Sequence, residues 1–577
     1  MIYTNDDQLN KFRRIGDLSM FKFREYLPAM ILTNLSTLLL ITVDGLVVGN
    51  FTGADALAAV SVFMPLTVFF GAFAVLAAYG IGTSLSTSIG SNKGTEIKKI
   101  KGVSFRLMII MAVIAAFIQI PIVWALLKAY RLPDAIYALA WQYAIGIMFS
   151  MPLGIISAVG TNMLQISGKM KILTKLTVLE GTVNLVLDLL FVGPLHMGVA
   201  GAGFGTACAN LVRCSATMIS LWRYTDMLRY RDYRGSISEY INILRLGAPD
   251  AAACLMNAVR GYFVMQILLS AFGESAGTIN GICVFCYSLV NVLITGILGA
   301  MRPLVGLLTG ADDREGIRFL IKQAALFMII MIGTAVAVIE LFPGIFYRIH
   351  GIADIPLGGK ASVRIYALFF MPYAFSGFYR LLLVNKKDSR YTARITLIGN
   401  CTQPFFALGL MMILSAPWVY LSESLTSVLM LVLYMRRYQH LNDMDTEEAE
   451  NSNDLVLYMS VRKQEAVEAS RTIRRFAEEQ GIDPRITYRI ALCMEEMVAY
   501  IEAVNEKDIP AQIIVRFKVD GGATFVILDN GKCIALQKQE DQEMGLTTDN
   551  YVLMQRLAKK AEYQYVQGMN YTILEFA

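Results

Sequence analysis

Polar and apolar positions separate along this chain on the scale of whole segments. Apolar runs of about twenty residues, bounded by charged clusters or by Gly and Pro, fall at 25–50, 55–80, 103–127, 134–158, 172–193, 198–222, 240–271, 276–300, 317–342, 361–384, 391–414 and 417–435. A helix of that length crosses a hydrocarbon core of ~30 Å, so the pattern predicts twelve transmembrane helices. After residue 440 the period changes. Residues 455–461 are expected to be extended and 463–480 helical, and Ile490, Cys493, Met494, Met497, Ile501 and Val504 recur at helical spacing on one face. Residues 513–519 and 523–528 read as strands around the turn signal Asp520-Gly521-Gly522, residues 549–561 as helix, and 563–566 and 571–576 as closing strands.

Composition sharpens this division. The 577 residues are 55% hydrophobic and 17% charged, with a mean hydropathy of +0.51, against about a quarter charged in soluble domains. Residues 1–440 hold 36 Lys and Arg against 22 Asp and Glu, whereas 441–577 hold 15 against 24, which marks the tail as a separate soluble domain. The expected partition is a cytoplasmic segment at 1–24, an amino-terminal lobe at 25–222, an inter-lobe loop at 223–239, a second lobe at 240–437, an acidic linker at 438–454 and a soluble α/β domain at 455–577. With the amino terminus inside, 26 basic residues of the membrane part face the cytoplasm and five, Lys128, Arg131, Arg348, Lys360 and Arg364, face out. The positive-inside rule therefore expects both termini in the cytoplasm of a multi-pass protein of the cell membrane. Basic loops explained in this way need no nucleic acid. The eight cysteines are scattered and suggest no disulfide framework, and no cleavable leader is expected before the first apolar run.

Landmarks recur at an offset of 220: Gly53 with Gly273, Gly90 with Gly310, Met151-Pro152 with Met371-Pro372. They imply two duplicated six-helix halves related by an axis along the membrane normal, an architecture of transporters.

An acid inside lipid costs ~2.5 to 3.5 kcal/mol, so each one kept there needs a partner, an ion or a proton. Asp44 lies 19 residues into the first run and Asp188 16 into the fifth, and both runs are expected to rise outward, which puts the two carboxylates at one depth, ~25 Å. Asn184 precedes Asp188 by one turn, and Thr206 enters from the opposite side to a comparable depth. Carboxylate, amide and hydroxyl oxygens suit a hard cation such as Na⁺, and a proton would relieve the same crowding. Pairing of each acid with a neighbouring arginine or backbone group is the structural alternative. No Gly-x-x-x-x-Gly-Lys-Ser/Thr loop occurs, which leaves coupling to an ion gradient as the simple source of power.

Asp44 in Val43-Asp44-Gly45-Leu46-Val47-Val48-Gly49, followed by Ala56-Leu57-Ala58-Ala59-Val60, resembles the first-span signature of multidrug and toxin extrusion (MATE) transporters. The segments from Asn184 to Asp188 and from Gly198 to Thr206 resemble that family's fifth and sixth spans. The resemblance covers residues 15–437. It implies an all-α, V-shaped, twelve-helix antiporter that is not an enzyme and exchanges Na⁺ or H⁺ for a drug-like or organic-cation substrate, with Asp44, Asn184, Asp188 and Thr206 as the cation site. A seventh-span acid of some members is Asn257 here, eight residues after Pro249. Asp250, Arg260, Arg302, Glu340 and Arg380 lie in or near the later runs, where internal ion pairing or interfacial snorkelling is the favoured reading. Asn257, Arg260 and Arg302 are the candidate substrate contacts, and Arg260 and Arg302 would instead accommodate an anionic group, which opens the alternative of a flippase for a lipid-linked or anionic cargo.

In the tail, Glu495-Glu496, Asp529-Asn530-Gly531 at a strand end and Gly545-Leu546 resemble the anti-sigma-factor kinase type of GHKL ATPase domain. The resemblance assigns Glu496, Asp529, Gly531 and Gly545 to nucleotide binding. Tyr500, Cys533 and Thr547 depart from the pattern and would remove a metal ligand and crowd the phosphate path. No cofactor is therefore expected, nor ATP turnover in the tail, for which a regulatory role, a cytoplasmic protein partner or a kinase-like activity are the alternatives. The expected partners of the membrane part are lipid and a small molecule, in a monomer.

Overall fold

The computed structural model describes residues 18–52, 59–60, 63–91, 94–129, 133–311, 314–414, 416–450, 454–460, 463–504, 512–519, 523–529, 556–566 and 569–576. The chain divides into two compact units, one of Phe23–Tyr438 and one that includes Gln439–Ala577.

Helices in the first unit follow the apolar runs: α1 (Leu18–Thr52), α2 (Met64–Ser91), α3 (Gly94–Ala129), α4 (Asp134–Ile166), α5 (Met170–Val192), α6 (Gly198–Tyr224), α7 (Ile237–Phe272), α8 (Ser275–Gly310) and α9 (Arg314–Leu341). After them come the short α10 (Pro343–Ile349), α11 (Gly359–Ala367), α12 (Phe370–Asn385), α13 (Ser389–Ile413), a 3₁₀ turn at Ala416–Tyr420 and α14 (Leu421–Glu450). Several helices outrun their apolar cores, as α3 does through Lys98, Lys99 and Lys101, because charge ends a lipid-soluble stretch without ending backbone hydrogen bonding. Among the described residues nine helical segments are long and apolar enough to cross a membrane. The expected spans at α1, α5 and α6 are present as helices but lie outside those nine. Lys171, Lys175, Glu180 and Asp188 interrupt α5, α6 is rich in Gly and Ala, and much of α1 is outside the described side chains.

The expected duplication has a packing counterpart. A Cβ on Gly90 of α2 would strike the Leu307 carbonyl of α8, and a Cβ on Gly310 of α8 would strike the Thr87 carbonyl of α2. Thr87 and Leu307 are separated by the same offset of 220 as the two glycines, so the contact is reciprocal, as a two-fold axis between repeats requires. The halves are not identical, however. Pro152 is accommodated inside α4, whereas the helix around its repeat partner Pro372 is interrupted at Leu368 and Phe369. The proline ring crowds the carbonyl four residues back, which here belongs to Leu368.

The second unit is an α/β sandwich. Strands β1 (Asp454–Ser460), β2 (Gln512–Val519), β3 (Ala523–Asp529), β4 (Lys560–Val566) and β5 (Met569–Phe576) form an antiparallel sheet in the order β1-β2-β3-β5-β4. Ile513, Val515, Phe517, Phe525, Ile527 and Leu574 alternate onto one face and pack against α15 (Lys463–Glu479) and α16 (Pro484–Val504) through Ala469, Ile473, Ile490, Met494 and Met497. Two expectations change. The linker's acidic run continues α14 as helix to Glu450, and β4 begins at Lys560, inside the stretch expected to be helical.

Candidate cation site

Asn184 and Asp188 lie one turn apart on α5, so both present to the same neighbour, α6. Each is 1% exposed. The start of α6 is glycine-rich, and this lets the helix come close: a Cβ at Gly205 would collide with Oδ1 of Asp188. Beside Gly205, Thr206 Oγ1 accepts from Asn184 Nδ2 at 3.5 Å and donates to the Ala202 carbonyl at 3.1 Å. Three of the four residues expected to hold a cation therefore meet across one helix pair. The fourth, Asp44, occupies a position in α1, but its side chain lies outside the described residues. Asn184 Oδ1 is buried without a hydrogen-bond partner among the described residues, leaving an oxygen for a ligand. The chemistry offered is an acid with neutral oxygens, suited to a hard cation or a proton. Among the described residues no group of three His, Cys, Asp or Glu side chains could hold a metal ion.

One turn nearer the start of α5, Glu180 is 8% exposed and forms an ion pair with Arg213 of α6. Between the levels of Thr206 and Arg213, Asn210 donates to Ser150 Oγ at 2.8 Å and to the Thr206 carbonyl at 3.2 Å. Sequence reasoning missed Glu180, although Glu180, Asn184 and Asp188 repeat at intervals of four and so announce one polar helix face.

In the other half, the expected internal pairing is present. Asp250 accepts from Arg302 Nη1 at 3.1 Å and pairs with Arg380 Nη2 at 3.2 Å, while the Arg302 guanidinium lies 3.7 Å from the centre of the Tyr79 ring of α2. Arg260 pairs with Glu423 at 2.8 Å, an acid that sequence reasoning also missed, and Gln403 donates to Ser422 at 2.7 Å beside it. Arg260 and Arg302 thus belong to different pairs. Asn257 is half-buried on α7, and the backbone carbonyl of Glu340 accepts from Arg364 at 2.9 Å.

Of the tail positions, Asp529 ends β3 fully buried and accepts from Asn570 Nδ2 at 2.7 Å, while Asn570 Oδ1 accepts from Tyr563 at 2.6 Å. Glu496 is half-buried on α16 and Tyr500 is buried on the same helix. Gly531, Cys533, Gly545 and Thr547 lie outside the described residues. Burial pushes the Cys493 thiol up to about 12, and Glu496 adds to the shift.

Residues 29–190 match the family model MatE. The chain is 22% identical over 330 residues to the probable multidrug resistance protein YoeA of Bacillus subtilis, covering 55% of this chain and 70% of that protein. It is 23% identical over 305 residues to the multidrug export protein MepA of Staphylococcus haemolyticus, covering 52% and 66%. Two solved structures superpose with a TM-score of 0.68 at 20% identity, covering 76% of this chain and 99% of theirs: a MATE protein in its bent conformation and a MOP superfamily transporter from Pyrococcus furiosus described as having a binding pocket of reverse polarity. These likenesses at low identity show the fold. The proteins matched are membrane transporters, not enzymes.

Proposed function

We propose that this chain is a multi-pass transporter of the MATE family, a cation-coupled antiporter of the cell membrane that exports a drug-like or organic-cation substrate in exchange for Na⁺ or H⁺. The observation that carries the reading is the meeting of Asp188, Asn184 and Thr206 across α5 and α6, where a buried acid shares one helix pair with amide and hydroxyl oxygens. Asp44 completes the proposed site from the first of twelve spans, both termini lying in the cytoplasm. The names of the bacterial relatives, multidrug resistance and multidrug export, support the choice of cargo. An acid in lipid is stable when its charge is compensated, so uptake of the cation from one side and release to the other ties its movement to that of the cargo.

Purified full-length protein in proteoliposomes, with Na⁺ and pH gradients imposed separately and ethidium as the probe, tests this. The expected result is ethidium movement against one of the two gradients. Movement indifferent to both would overturn the reading.

A second reading is an anionic or lipid-linked cargo. What favours it is that Asp250 serves two guanidinium groups, so that cluster carries a net positive charge. What favours the organic cation is that Arg260 is already neutralised by Glu423. For the tail we propose a regulatory domain of GHKL type without ATP turnover. Asp529, held by Asn570, would read a nucleotide base, and Glu496, Gly531 and Gly545 would complete a degenerate pocket. Filter binding of radiolabelled ATP to the full-length protein checks this, and hydrolysis that tracks transport would contradict it.

A further inference from the structure

Glu180 is not needed by the cation site just described, yet it occupies the next rung of the same ladder. On α5, residues 180, 184 and 188 fall on one face, about 6 Å apart per turn. Opposite them on α6 stand Arg213, then Asn210, then Thr206 with Gly205. With α5 rising outward, Glu180 lies between the Asp188 level and the cytoplasm. A buried ion pair is weak ground for stability, because a well-packed apolar pair commonly serves as well or better. It is, however, a suitable resting state for a carboxylate that must sometimes hold something else. Between Glu180 and Asp188 sits the unpartnered, buried Oδ1 of Asn184, one turn from either acid.

We infer that Glu180 is a second, transient station for the coupling cation, on the route between the Asp188 site and the cytoplasm. When the cation is elsewhere, Arg213 neutralises Glu180 and closes the route electrostatically. On arrival the cation replaces the guanidinium, and Asn184 Oδ1 bridges its passage to Asp188. This rests on the cation-coupled reading above and adds to it the path by which the ion leaves.

The test uses full-length protein in proteoliposomes with ethidium and compares two modes. One is transport driven by the effective cation gradient. The other is counterflow, ethidium exchanging for ethidium at equal cation on both sides, which needs no cation release. Glu180→Gln with Arg213→Gln removes both charges, keeps the shape at 180 and leaves a shorter polar side chain at 213. The expected result is at least a tenfold loss of driven transport with counterflow within twofold of the parent. A merely structural pair would move both modes together or neither, and either outcome overturns the inference. The charge swap Glu180→Arg with Arg213→Glu supplies a second reading. It restores an ion pair but puts the acid on the wrong helix, so stability should recover and driven transport should not. Recovery of driven transport by the swap, or failure of both variants to insert, assigns the pair to folding and overturns the station. Asp188→Asn run in parallel separates the two ideas. If it retains driven transport, the site reading itself fails; if it loses it while the double glutamine variant does not, only Glu180 is wrongly placed.

Discussion

Gly205 shows how a residue with no side chain shapes a binding site. Its place against Asp188 Oδ1 leaves no room for a Cβ without moving the carboxylate. Gly205→Ala should therefore insert and fold yet raise the cation concentration for half-maximal ethidium transport about tenfold, which corresponds to ~1.4 kcal/mol of lost binding. An unchanged dependence would place the cation elsewhere. Asp250 holds two guanidinium groups at once. Its replacement by Ala leaves both buried without a carboxylate, and a broken buried pair costs ~3 to 5 kcal/mol. Thermal unfolding of the detergent-purified variant should show that loss, while Arg380→Met, which leaves the Asp250 pair with Arg302, should lose less. At this scale the sequence was legible wherever a charged residue interrupted an apolar run, as at Asp188, Asp250 and Arg302. Glu180 and Glu423 are the exceptions: both lie inside apolar runs, those starting at 172 and 417, but neither stands in a stretch that resembles a family motif. Only the period of four from Glu180 to Asp188 could have betrayed the first.

Helices and strands were read from two different signals, and the quality of each reading follows from its signal. Apolar length located nearly every helix of the membrane unit, since lipid demands a closed backbone hydrogen-bond pattern over the whole span. It located their ends less well, because a helix such as α3 goes on through lysines once it has left the apolar region. The interruption at Leu368 and Phe369 was not legible, as Pro372 and its repeat partner Pro152 look alike in sequence and differ in surroundings. Reciprocal packing of α2 and α8 makes a prediction for a pair of elements. Gly90→Leu and Gly310→Leu should destabilise the purified protein by similar amounts, ~1 to 3 kcal/mol, as overpacking at close contacts does. Markedly unequal losses would argue against a two-fold relation. In the tail, alternation marked β2 and β3 correctly, whereas β4 was partly taken for helix because Ala558, Lys559, Lys560 and Ala561 favour helix locally and the sheet overrides them. On α16, Cys493 is buried in the core with its thiol raised to about 12. It should stay protonated and unalkylated by iodoacetamide at pH 8 in the native protein, as read by peptide mass spectrometry, and react on unfolding. A folded pKa above the unfolded one means that this thiol's contribution to tail stability is present below the ordinary thiol range and declines as pH rises toward 12.

Across the whole molecule, charge asymmetry and hydropathy pointed to an apolar helical part followed by a separate carboxyl-terminal α/β part, as the two compact units have it, and the repeat at 220 anticipated the reciprocal contact of α2 and α8. Cargo was not legible, because a small-molecule pocket is lined mostly by apolar and aromatic surface that resembles ordinary core. On the proposed function, the buried acid Asp188 on α5, with oxygens from α5 and α6 beside it, carries the ion that powers export. The most direct measurement is ethidium transport in proteoliposomes under the effective cation gradient, comparing the parent protein with Asp188→Asn at equal insertion. The account expects the parent to concentrate ethidium and the variant to lose driven transport at least a hundredfold, ~2.7 kcal/mol in coupling, while still exchanging ethidium for ethidium. Driven transport by Asp188→Asn at the parent's rate would contradict it.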